Sequence, residues 1–152
     1  MKWKKLHEKA IIPKRATEHA AGYDFYALES VRIMPQETKI VRTGITFEDM
    51  PENMYLQLSL RSGISLKRPF LLANGVGVVD SDYAGKEIGI ILFNRSTNIP
   101  AVVDEGERIA QGVLLTYHTV DEEEKPKAKR RGGYGSTGNK KEGLKKTRLL
   151  LS

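Results

Sequence analysis

The segment GVGVVDSDYAG, Gly75 to Gly85, sets two carboxylates one residue apart, after a β-branched run and directly before an aromatic ring. An ionised carboxylate mounted at the end of a strand can take a proton from water, which makes Asp80 a candidate general base. Gly75 and Gly77 would let the backbone come close to a flat ligand. Main-chain N–H and C=O groups could then read its hydrogen-bonding edge, with the ring of Tyr83 packed on an apolar part. The same residues also suit an ordinary polar turn, in which Asp80 and Asp82 bond nearby N–H groups.

A second candidate is GGYGSTG, residues 132–138, with glycine at four of seven positions. Such a stretch can serve as a linker. It can also act as a lid whose backbone N–H groups form a nest for an anion, with Arg131, Ser136 and Thr137 as further donors. Gly133 to Lys140 is not a P-loop, because lysine does not directly follow the second glycine and no strand–helix frame surrounds it. Other chemistries are excluded. The chain has no cysteine, so there is no thiolate zinc site, disulfide framework or cysteine nucleophile. His7, His19 and His118 lack metal-ligand spacing, and neither a G-x-S-x-G elbow nor H-E-x-x-H occurs.

These groups must be held by β structure. Leu56, Leu58 and Leu60 alternate with polar residues, the period of a half-buried strand. Val31 and Ile33 alternate likewise. Ile40 to Phe47 is a β-rich run interrupted by Gly44, and Glu87 to Asn94 is apolar enough for a strand buried on both faces. Ala101 to Val103 and Val113 to Tyr117 add two more, and a short helical turn fits Ser62–Lys67. Many short strands separated by turn signals predict an all-β sandwich, jelly roll or barrel.

The 152 residues suit one domain. Residues 1–120 are expected to form the β domain, 121–138 a mobile arm carrying the glycine-rich motif, and 139–152 a basic, disordered extension. The net charge of +6 divides into +1 over residues 1–120 and +5 over 121–152. That basic end could meet a polyphosphate, a nucleic acid or a regulatory partner, or simply be solvated. Pro13 stops the N-terminal apolar run before a signal sequence forms, and no segment approaches a membrane span. An intracellular, cytoplasmic protein is expected.

Five segments in order carry a resemblance: AGYDFYA (Ala21 to Ala27), RSG (Arg61 to Gly63), GVVDSDYAG (Gly77 to Gly85), ERIAQ (Glu107 to Gln111) and GGYGSTG (Gly132 to Gly138). Together the chain resembles the homotrimeric dUTPase family over residues 6–138. The resemblance implies a β jelly roll and a homotrimer whose active sites each draw on all three chains, the arm reaching across as a lid. The implied reaction is dUTP plus water giving dUMP and pyrophosphate, with attack at the α-phosphorus. Mg²⁺ would be held mainly by substrate phosphates and water, with no direct protein ligand.

The resemblance also implies roles. Asp80 activates water. Asn74 and the backbone from Gly75 through Gly77 to Val79 read uracil. Tyr83 stacks on the deoxyribose and excludes a 2′-hydroxyl. Ser62, with Gly63, and Gln111 contact phosphate oxygens, Arg61 supports the phosphate side, and Asp24 shapes the site. Tyr134 covers the base where the family usually has phenylalanine, beside Gly135. Arg131, Ser136 and Thr137 grip the distal phosphates. The family's usual Arg-Gly pair upstream of the last motif is missing here, so Arg131 is expected at the γ-phosphate, with Arg130 second. A dCTP deaminase shares the implied fold, but the D-S-D-Y segment argues against its glutamate base.

Overall fold

The computed structural model describes residues 1–135. Twelve strands occupy residues 2–116: β1 Lys2–Lys5, β2 Lys14–Arg15, β3 Tyr23–Tyr26, β4 Val31–Ile33, β5 Thr38–Arg42, β6 Ile45–Glu48, β7 Met54–Leu60, β8 Phe70–Leu72, β9 Gly77–Asp80, β10 Gly89–Asn94, β11 Ala101–Val103 and β12 Arg108–Thr116. One helix, α1, spans Ser62–Lys67, and Ser81–Tyr83 form a 3-10 turn. All strand pairings among the described residues are antiparallel. The fold is an antiparallel β jelly roll.

The largest sheet runs β2-β3-β12-β7-β9, and a second runs β5-β10-β8. Two further pairs are β1-β6 and β11-β4. Alternation drives this layering. On β7, Leu56 and Leu58 face a core that also holds Phe25, Phe47, Phe70, Ile33, Ile45, Ile88, Ile90, Leu92 and Ile109, and burial of side chains of this size stabilises by about 1.5–3 kcal/mol each. Among the described residues most buried polar side chains are paired, Thr46 Oγ1 being the exception. Asn94 Nδ2 donates to the carbonyls of Ile33 and Ile99, and its Oδ1 accepts from Ser96 N–H.

Two strand expectations change. The run Ile40 to Phe47 is two strands, because Gly44 sits at φ +65 and turns the chain between them. Residues 87–94, expected to be buried on both faces, instead alternate. Ile88, Ile90, Leu92 and Asn94 face the core, while Gly89, Ile91 and Phe93 are half-buried. The strand lies in an antiparallel sheet with the core on one side only, and its other face helps to line a pocket.

Candidate active site

That pocket, about 180 Å³ in volume, lies between the start of β10 and the edge strand β9. A strand at a sheet edge keeps one row of backbone N–H and C=O groups unpaired, so β9 presents hydrogen-bonding groups beside an apolar floor of Leu58, Val79, Ile88 and Ile91. Asn74, Gly77, Val79, Asp80, Tyr83 and Tyr134 all line it, six of the residues that sequence reasoning singled out. Gly75 does not. It makes the turn before β9, at φ +70 with open space around it. Gly77 is glycine for a reason other than ligand approach: a Cβ there would stand 2.9 Å from Leu58 Cβ.

Asp80 ends β9 opposite Tyr55 on β7. The 3-10 turn that follows carries Asp82 outward and returns Tyr83 to the pocket wall. The Tyr83 hydroxyl donates to the Glu87 carbonyl at 2.8 Å, which tethers the ring.

The arm closes the pocket. Arg130 reaches both acids, with Nη2 donating to Asp80 and Nε to Asp82 at 2.5 Å. Its guanidinium also stands 5.9 Å from the centre of the Tyr83 ring. Gly133 passes close over Tyr83, and Tyr134 Oη accepts from Gly89 N–H at 2.9 Å. The Tyr134 phenol is pushed up to about 12, first by burial and then by its neighbour Tyr83. Arg130, not Arg131, lines the pocket, while Arg131 is exposed. The described arm residues Arg130, Gly133 and Tyr134 line the pocket of the same chain. Gly135, at φ +94, is exposed. Ser136, Thr137 and the basic stretch 139–152 lie outside the described residues.

The remaining candidates form a separate cluster. Asp24 is buried, with Arg61 Nε at 2.9 Å and Arg108 Nη1 at 3.4 Å from its two oxygens. Gln111 pairs in register with Asp24 on β3 and with Ser59 on β7. Ser62 and Gly63 are exposed at the start of α1. Ser59 and Tyr55 are four positions apart on β7, and β9 and β12 flank it on opposite sides. With ~3.3 Å per residue and ~4.8 Å per strand spacing, Asp80 and Gln111 are about 16 Å apart. One chain therefore carries two separate groups of candidates: a pocket with an acid at its rim, and a cationic and amide cluster at the far end of the same strand.

Sequence reasoning missed Arg108, Gly89 and Glu87. Arg108 stands inside ERIAQ and could have been suspected as a partner for a buried acid. Gly89 and Glu87 gave no signal, because their importance lies in backbone and carboxylate contacts made across the fold. Among the described residues no helix is long and apolar enough to cross a membrane, and no three His, Cys, Asp or Glu converge as a metal cluster.

Known proteins resemble the chain over most of its length. The dUTPase family model matches residues 8–138. The deoxyuridine 5'-triphosphate nucleotidohydrolase of Picosynechococcus sp. is 41% identical over 138 residues, 88% of this chain and 95% of the relative. That of Nautilia profundicola is 39% identical over 142 residues, 91% and 98% respectively. The crystal structure of the Streptococcus mutans dUTPase superposes with a TM-score of 0.71 at 31% identity, covering 78% of this chain and 98% of that one.

Proposed function

The chain belongs to the dUTPase family, and from that premise we propose that it hydrolyses dUTP to dUMP and pyrophosphate, with Asp80 as the base for water attacking the α-phosphorus. The observation that carries this reading is the placement of Asp80 at the rim of a small pocket that has an edge-strand wall and a tethered tyrosine. A flat base fits against the exposed groups of β9, and the sugar then lies on Tyr83. A 2′-hydroxyl would meet that ring, which favours deoxyribose. An exocyclic amine in place of a carbonyl would leave buried backbone groups unpaired, a strong basis for rejecting cytosine.

Phosphoryl chemistry is mainly positioning and charge neutralisation. A base must stand within hydrogen-bond reach of its water, directly or through one more. The ~16 Å between Asp80 and Gln111 is too long for both to serve one α-phosphate, given these strand spacings. We therefore assign each active site to more than one copy: Asp80 and the pocket from one, and Arg61, Ser62 and Gln111 from another, in a homotrimer. Leu66, Val78 and Ile99, exposed at 81%, 60% and 62%, are apolar surface that an assembly would cover.

The donor set also suits Mg²⁺ delivered with the triphosphate. Asp80 and Asp82 are the carboxylates beside the pocket, and no three His, Cys, Asp or Glu form a cage among the described residues. A hard ion of this kind keeps phosphate and water oxygens as its main ligands, and when bound it neutralises charge that would otherwise repel an anionic base. Asp24 holds Arg61 toward the phosphate end by their ion pair. The test is pyrophosphate release from dUTP set against dTTP, dCTP and UTP. Release from dUTP alone is expected, and equal turnover of UTP would overturn the reading.

A further inference from the structure

We propose that Glu87 is a positioning residue for sugar selection, an inference that rests on the function proposed above. Glu87 clamps two parts of the fold. Its Oε1 accepts from Gly44 N–H at 2.7 Å, and Arg42 Nε stands 3.2–3.3 Å from both carboxylate oxygens. Its own carbonyl accepts the Tyr83 hydroxyl. Gly44 is held at φ +65, where a Cβ would press on Ala10, so the turn that offers its N–H has little freedom. The next residue, Ile88, is pinned from both sides, its N–H by the Ile45 carbonyl and its carbonyl by the Thr43 hydroxyl. The carboxylate therefore sets where the residue 87 carbonyl stands, and that carbonyl sets the Tyr83 ring against the sugar.

The test compares Glu87→Ala, Glu87→Gln and Tyr83→Phe in the full chain, measuring kcat/KM for dUTP and UTP. The alanine variant should lose about tenfold in preference for dUTP, the size expected for loss of one charge-assisted anchor. Glutamine keeps an acceptor for Gly44 N–H and should restore most of it. Tyr83→Phe removes only the hydroxyl and should shift selectivity in the same direction even if the alanine variant folds poorly. Unchanged selectivity in Tyr83→Phe, or glutamine behaving like alanine, overturns the inference. Failure of the wild-type chain to release pyrophosphate from dUTP would instead sink the function on which it rests.

Discussion

Arg130 of the arm is ion-paired with Asp80 of the same chain, across the mouth of the pocket that Asp80 borders. The acid that sequence reasoning singled out therefore has a cation of its own chain beside it. Its partner is the arginine ranked second for the phosphate role.

Replacing Asp80 by asparagine removes the acceptor that would take a proton from water while preserving shape. We expect turnover to fall by about 10²- to 10⁴-fold, with binding of a non-hydrolysable dUTP analogue largely retained. Near-normal kcat in a steady-state assay would remove Asp80 from the mechanism.

The separation of Asp80 from Gln111 within one chain makes a mixing experiment decisive. Asp80→Asn subunits and Gln111→Ala subunits should each be nearly inactive alone. Mixed under conditions where subunits demonstrably exchange, they should regain activity, because some interfaces would pair an intact pocket with an intact phosphate cluster. No recovery would mean that each chain builds its own complete site.

Asp24 holds two arginines from within the sheet. Asp24→Asn leaves Arg61 and Arg108 without their counter-charge. Both arginines keep partial contact with water, so the expected loss is about 1–3 kcal/mol rather than that of a fully buried pair. A lower urea midpoint at unchanged slope would report it. An unchanged midpoint would show that the pair contributes nothing measurable.

The raised Tyr134 phenol, at about 12, gives a pH test. The docked arm favours the protonated form, so docking is intact below the ordinary phenol value of about 10 and weakens as pH rises through 12. An ultraviolet phenolate titration should show a late step from Tyr134. That step should vanish in Tyr134→Phe. If the wild-type and variant curves differ only by an ordinary phenol, the ring is not held in the pocket.

Much of the architecture was legible because it is local. Leu56 and Leu58 alternate with polar neighbours, and the strand they predicted is β7 with those two side chains in the core. The helical turn at Ser62–Lys67 is α1. Strands β1 and β2 were not legible. Lys2–Lys5 and Lys14–Arg15 are strongly charged, and they are strands because β6 and β3 offer them open edges. Pairing with an existing edge overrides local propensity.

The amino-acid order alone determined which groups could do chemistry: an acid after a β-branched run, a ring beside it, and a glycine-rich segment rich in donors. These follow from residue type and short-range spacing. Only the tertiary structure decided which groups meet. Arg130 and Arg131 are adjacent in the chain, yet one is in the pocket and the other in solvent. Asp80 and Gln111 belong to one sheet, yet strand register keeps them apart. Distances across a sheet are set by pairing and strand count, and neither can be read from residue identities along a single strand.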